Sequence, residues 1–354
     1  MKSLLAPLLF GLIVSAFADN RTRFGRDAWV AILYFEIVSG LAMLIGWAAI
    51  ALWQPGLGLN LPPENAAAAA SLTLSQLLVR CVPESGVAAM ANNDMLPMLC
   101  FFALFGVSAR RQPRMARFAE SIYAVSQRNA NYIMYLAIPG MIGAIVYGVL
   151  SGGWPLVSGM GRFVLAAWAA QLATGILLLG AIALAARVPI ARFLRCCSPA
   201  LLLAVTTTSS AAALPKAIEG MERFGIPRKF LGFVMPLGLS FNLSGSSIQL
   251  MMAVLFTAQA VGRPMSFEFV LSAWLIVKIA VKGVAGLPRA NMVILAAVLP
   301  IFGLPLSVLP LLLAVDALID IIRTPVNVLG NCLAPAILNR LSSPQCEPFS
   351  SSSH

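Results

Sequence analysis

Histidine occurs once in the 354 residues, as the last of them, His354. A Ser–His relay or a histidine-rich metal centre therefore has no residues to be built from. Charge is scarce too: Asp, Glu, Lys and Arg make up 10% of the chain, against 60% hydrophobic residues and a mean hydropathy of +0.89. That balance excludes a soluble globule and fits a polytopic helical membrane protein. None of the six cysteines (Cys81, Cys100, Cys196, Cys197, Cys332 and Cys346) stands in a C-x-x-C pair or a zinc spacing, so no disulfide framework or structural zinc is implied. G-x-G-D, G-x-S-x-G and H-E-x-x-H are all missing, which leaves an intramembrane hydrolase without a catalytic motif.

What the chain has instead is apolar runs, at about 3–18, 28–53, 95–109, 131–151, 161–187, 229–260, 269–303 and 306–338. Many approach the roughly twenty residues that cross a hydrocarbon core. Basic residues cluster between them: Arg21, Arg23 and Arg26; Arg110, Arg111, Arg114 and Arg117; Arg187, Arg192 and Arg195; Lys216, Arg223, Arg228 and Lys229. Segments 54–92 and 152–160 are poor in Lys and Arg. The alternation puts the basic loops in the cytoplasm, and explains the net charge of +11 without a nucleic-acid partner. The start, "MKSLLAPLLFGLIVSAFADN", also has the form of a cleavable signal peptide, with Ala16 and Ala18 before Asp19.

Two segments are poor simple spans. "CCSPALLLAVTTTSSAAALP" at 196–215 turns polar and small, with an expected turn in "SAAALP"; "KIAVKGVAGLPRAN" at 278–291 is broken by Gly and Pro in "VAGLP". Each precedes a span with polar residues in its middle. Irregular backbone at that depth survives only where protein or a wet cavity surrounds it, so the pairing predicts an internal repeat of the kind secondary transporters use.

In the last run, Asp316, Asp320, Arg323, Asn327 and Asn331 follow one another at helical spacing. They share one face, with Thr324 at its edge. A charge at mid-bilayer costs about 2.5–3.5 kcal/mol or more, so the stripe is expected to turn inward onto a substrate or ion path. The competing account is an Asp320–Arg323 salt bridge that only holds the helix in place; it leaves Asp316 and the asparagines unexplained. An arginine suits a carboxylate and an aspartate an ammonium, which together fit an acidic amino acid. In "PLGLSFNLSGSS" at 236–247, Gly238 and Gly245 free carbonyls beside Asn242, Ser244, Ser246 and Ser247. Such oxygens can replace the hydration shell of a small cation.

These stretches resemble the dicarboxylate/amino acid:cation symporter family, the glutamate transporter homologues. "ILYFEIVSGLAMLIGWAAIALWQPG" is similar to that family's third span, "ANNDMLPMLCFFALFGVSAR" to its fourth and "TTTSSAAALPKAIE" to its serine-rich first hairpin. "GLSFNLSGSS" resembles its seventh span, "VKGVAGLPRAN" its second hairpin and "VDALIDIIRTPVNVLGN" its eighth span. The resemblance implies an all-α fold with two re-entrant hairpins and an inverted repeat. It also implies a homotrimer in the cell membrane, multi-pass and in a bacterium the inner one, and a mobile domain that carries substrate by an elevator movement. Residues 1–187 would be mostly scaffold, with 28–53 in the transport domain; 188–340 would be the transport core and 341–354 a disordered tail.

By the same resemblance Thr208, Ser209 and Ser210 line the substrate site from the first hairpin, and residues 284–288, with Val284 and Gly286, close it from outside. Arg323 takes the substrate's side-chain carboxylate and Asp320 its amino group, with Thr324, Asn327 and Ser246 completing the contacts. Gly238, Asn242, Ser244, Asn327 and Asn331 fall on cation sites, backed by Asp316. No prosthetic cofactor is implied, only co-transported sodium or protons.

The departures concern the cation. The family's NMDGT reads "NLSGS", so a carboxylate becomes Ser244; the acid that ends its eighth-span motif is Asn331; two hydroxyl ligands of its third span are Phe35 and Val38, with Ser39 kept. Hard cations need such oxygens, so proton coupling is expected instead, with Glu36 and Asp316 as the acids; Glu36 equally suits an interhelical hydrogen bond. Arg289, in place of a small residue at the second hairpin, either attracts acidic substrate or alters closure, or snorkels to water. Residues 3–18 resemble the family's second span, which implies a truncated chain or a start placed downstream and opens a further alternative, a degenerate or uncoupled homologue.

Overall fold

A computed structural model of the chain describes residues 7, 10, 11, 14, 26–59, 85–92, 95–109, 112–281 and 290–342. Among them there is no strand. The first long apolar run forms α1 (Arg26–Trp53), followed by α2 (Gly86–Asn92), α3 (Met95–Ala109) and α4 (Pro113–Ala173). A π-helical turn at Thr174–Leu178 leads from α4 into α5 (Leu179–Ala185). Then come α6 (Ile190–Thr207), α7 (Ser210–Phe224), α8 (Arg228–Phe241), α9 (Ser244–Ala260), α10 (Phe267–Ala280), α11 (Ala290–Ile301) and α12 (Leu309–Ser342).

Among the described residues, four segments are long and apolar enough to cross a membrane: Trp29–Trp53, Trp154–Ala185, Ile190–Thr207 and Phe230–Ala260. On α1, Trp29, Leu33, Ile37, Leu41 and Leu44 recur at helical spacing and are all exposed. That apolar stripe has the chemistry of a face turned to lipid.

At the centre is α9, of which every residue but Ser246 is buried. A helix apolar on all sides needs neighbours on all sides; α1, α4, α11 and α12 supply them. The Phe163 and Phe256 rings meet with centroids 4.7 Å apart. Gln259 ties the end of α9 to the end of α1, its Oε1 accepting from the Gly56 N–H and its Nε2 donating to the Ile50 carbonyl, both at 3.2 Å.

Three expectations are corrected. The uncharged segment 152–160 is not a loop but lies inside α4, a helix of 61 residues. At 1.5 Å per residue it is about 90 Å long, some three times a hydrocarbon core. Lack of charge there speaks to the partner medium and not to the backbone, and Pro155 is tolerated within the helix. The run 229–260 is not one continuous helix: Asn242 (φ −90°, ψ 75°) and Leu243 (φ −110°, ψ 41°) leave helical geometry and divide it into α8 and α9. The turn expected in "SAAALP" comes earlier. Thr208 adopts a left-handed conformation (φ 48°, ψ 31°), and Ser209 caps α7 by accepting from the Ala212 N–H at 3.2 Å. The three alanines that follow are strong helix formers and open the helix.

Candidate functional site

The site is built around the inner face of α12. Asp316, Asp320, Arg323, Thr324, Asn327 and Asn331 are all buried there, whereas Leu318 and Ile321 on the opposite face are exposed. The Arg323 guanidinium faces two carboxylates: Nε and Nη2 meet Asp320 Oδ1 at 2.9 and 2.7 Å, and Nη1 meets Asp316 Oδ1 at 3.1 Å. The Thr324 hydroxyl donates to the same Asp320 oxygen at 2.8 Å.

A second layer comes from α9 and α11. Gln249 donates through Nε2 to Asp316 Oδ1 at 2.7 Å, and its Oε1 accepts from both Arg323 Nη1 and, at 3.1 Å, Asn291 Nδ2. Both amides are buried. Arg323 thus has most of its five N–H donors committed, with Nη2 retaining one.

Below this lies the break between α8 and α9. The first N–H groups of a helix have no intrahelical acceptor, and here Asn327 serves one of them: its Oδ1 accepts from Gly245 N–H at 2.8 Å. Its backbone carbonyl accepts from Asn242 Nδ2 at 2.9 Å, and its Nδ2 donates to Ser246 Oγ at 3.4 Å. Gln171 of α4 donates to the Gly245 carbonyl at 2.8 Å. Glycine is required here by close approach, since a Cβ on Gly245 would lie 2.8 Å from the Arg323 carbonyl oxygen. Gly238 is in the same position, because its Cβ would overlap Asn331 Oδ1. Asn331 Nδ2 itself donates to the Met235 carbonyl at 3.1 Å.

Among the described residues, several buried oxygens in this region have no hydrogen-bond partner: Asp316 Oδ2, Asn242 Oδ1, Asn331 Oδ1, Gln171 Oε1, and Oγ of Ser244 and Ser247. Buried polar atoms are rarely left so, and a run of acceptors without donors is the environment a cation or a bound proton satisfies.

The stripe of α12, Asn242, Ser246 and Gly245 are therefore in direct contact. Ser209, at the turn between α6 and α7, uses its hydroxyl locally as the α7 cap, and the Thr208 hydroxyl donates to the Thr207 carbonyl at 2.8 Å; Ser210 opens α7 beside them. Val284, Gly286 and Arg289 lie outside the described residues. Glu36 is engaged with α10: its carboxylate pairs with Lys278 Nζ at 3.1 Å, and its carbonyl also accepts from that ammonium. Gln171, Gln249, Asn291 and Lys278 escaped the sequence reading, although each is a polar residue within or beside an apolar run, the signal that marked α12.

The sodium:dicarboxylate symporter family profile matches residues 1–341. The chain is 33% identical over 356 residues to C4-dicarboxylate transport protein 2 of Pseudomonas paraeruginosa, covering 96% of this chain and 82% of that protein. It is 31% identical to the C4-dicarboxylate transport proteins of Pectobacterium atrosepticum and Edwardsiella ictaluri, over 96% of this chain and 82% and 83% of theirs. With its helical build, its apolar spans and a charged stripe turned inward, the chain belongs to the sodium:dicarboxylate symporter family, as a multi-pass membrane transporter and not an enzyme.

Proposed function

We propose that the protein imports C4-dicarboxylates by cation symport, with Arg323 as the residue that recognises the substrate carboxylate. The observation that carries this reading is the buried guanidinium of Arg323 beside the α8–α9 break, at the one place where described polar side chains of α9, α11 and α12 converge. Relatives named for C4-dicarboxylate transport support the substrate class. Acidic amino acids are the second candidates, because Asp320 is an acid able to take an ammonium. Against them, Asp320 Oδ1 already accepts from Arg323 and Thr324, which favours the dicarboxylate.

One arginine facing two aspartates offers no surplus positive charge to a dianion. Accepting one in a buried site therefore calls for co-transported positive charge. The proton is the coupling ion in this reading, because Ser244 and Asn331 supply no carboxylate. Asp316 is the acid this reading assigns to it, fully buried beside Arg323, its Oδ2 without a hydrogen-bond partner among the described residues. Glu36 is set aside in this reading because it lies on α1 against α10, outside the Arg323 cluster.

The packing of α1 against α9, more extensive than its packing against α4, supports counting residues 28–53 with 188–340 as the transport core. Thr208, Ser209 and Ser210 at one hairpin, and Val284 and Gly286 at the other, enclose the substrate. The core moves as an elevator within a homotrimer whose scaffold comes from the rest of 1–187.

The test is uptake into proteoliposomes of labelled succinate, fumarate, aspartate and glutamate under separate sodium and proton gradients. Succinate or fumarate uptake driven by the proton gradient is expected. No uptake of any of the four by correctly folded protein would sink the carrier reading, and sodium-driven uptake would sink the proton.

A further inference from the structure

Among the described residues, a further, partly buried ion pair lies outside the Arg323 cluster. Lys278 extends from α10 onto α1, only 12% of its side chain exposed. Its ammonium donates to the Glu36 carbonyl and the Ser39 hydroxyl and pairs with the Glu36 carboxylate at 3.1 Å. Three oxygens thus meet the three donors of one ammonium. One turn earlier on α10, Trp274 Nε1 donates to the Gly40 carbonyl at 3.2 Å, and Lys278 Nζ lies 5.9 Å from the Trp274 ring centroid.

The register is regular. Residues four apart on α10, Trp274 and Lys278, reach carbonyls four apart on α1, those of Gly40 and Glu36, so the helices run antiparallel with matched turns. Gly40 makes room for this, since a Cβ there would lie 3.0 Å from Trp274 Cζ2 and 3.6 Å from Lys278 Nζ. A lysine whose only task was to reach water would extend away from α1. This one is turned inward, onto a carbonyl, a hydroxyl and a carboxylate, the donor set that holds a small cation.

We infer that Lys278 is a tethered cation: its ammonium fills an oxygen site on α1 formed by Glu36 and Ser39, and that site accepts a free primary ammonium once the tether is removed. The consequence is a fixed positive charge that holds α10 in register on α1 with no mobile ion at this place. The site is distinct from the Arg323 cluster, and only the transport arm of its test rests on the proposed carrier function.

The experiment uses the full chain purified in detergent, as wild type, Lys278→Ala, and Lys278→Ala with Glu36→Gln, each purified with and without methylammonium. Thermal melting is followed against methylammonium and against tetramethylammonium, which carries the same charge but no N–H donor. The expected result is a lowered melting temperature for Lys278→Ala that rises saturably with methylammonium and not with tetramethylammonium, with wild type and the double variant unresponsive. In proteoliposomes, Lys278→Ala should lose uptake severalfold and regain at least half of it in methylammonium.

An unchanged melting temperature for Lys278→Ala would overturn the proposal. So would equal rescue by both amines, which is an ionic-strength effect, or failure of the variant to fold even with methylammonium present throughout. Amine-specific melting in a protein that transports nothing would leave the ammonium site standing and count against the carrier reading alone.

Discussion

Gln249 and Arg323, 74 positions apart in the chain, share a hydrogen bond in the protein interior, and through it a side chain of α9 holds the one guanidinium buried among the charges of α12. Gln249 also holds Asp316 and receives Asn291. Gln249→Leu takes the acceptor from one N–H each of Arg323 and Asn291 and leaves Asp316 Oδ1 with Arg323 alone. At about 1–3 kcal/mol for each buried group left unsatisfied, the variant should melt well below wild type in detergent and lose affinity for substrate more than it loses membrane yield. A melting curve that overlays wild type would show the amide to be idle.

Arg323→Ala should abolish uptake of every acidic substrate while the protein still reaches the membrane. Arg323→Lys should not restore it, because a point charge cannot reproduce the forked contacts to Asp316 and Asp320. Truncating one member of a buried pair costs about 3–5 kcal/mol, so yield and uptake are to be measured together. Equal loss of expression in Arg323→Ala and Asp320→Ala would favour a purely structural ion pair.

For Asp320→Ala, the uptake ratio of succinate to aspartate is informative. If Asp320 meets a substrate ammonium, aspartate uptake falls further than succinate uptake. A ratio unchanged from wild type would confine Asp320 to orienting Arg323.

Glycine 245 can be tested against an internal control. Gly245→Ala places a Cβ 2.8 Å from the Arg323 carbonyl oxygen and 2.9 Å from Gln171 Oε1, whereas a Cβ on Gly180 meets nothing within 4 Å. Overpacking costs about 1–3 kcal/mol, so Gly245→Ala should melt several degrees lower and transport poorly. Gly180→Ala should match wild type or slightly exceed it, through helix propensity.

Restoring carboxylates should restore sodium. Ser244→Asp combined with Asn331→Asp adds two hard oxygen ligands in a region already rich in acceptors without donors. Uptake by the double variant should become dependent on a sodium gradient in proteoliposomes, and indifference to sodium would place the coupling ion elsewhere.

The stripe on α12 was legible because helical spacing alone aligns Asp316, Asp320, Arg323, Asn327 and Asn331, and the cost of charge in lipid says which way they turn. The α8–α9 break was legible only in part, through Gly238 and Gly245 as residues that free carbonyls in the span. Nothing local in "SFNLSG" forbids a helix at Leu243, and the unwound geometry is held by Asn327 and Gln171, far away in sequence. The first hairpin was recognised as a turn but placed too late, because the small residues of "SAAALP" read as loop composition while alanine favours helix. Gln249 was hidden for a plainer reason: a lone amide in an apolar run carries no sign of which partners the fold will bring to it.

Asn327 also fixes an order of events. The amide groups at the α8–α9 break, Asn242 Nδ2 and Gly245 N–H, find both their acceptors in a residue made some eighty positions later. Within lipid an unsatisfied backbone group costs several kcal/mol, so the half-helices on either side cannot settle when they leave the ribosome. They are expected to settle only once α12 has been synthesised and docked against them. A nascent chain halted before Asn327 should be found open at this place by the quality-control machinery, whatever the hydrophobicity of its spans.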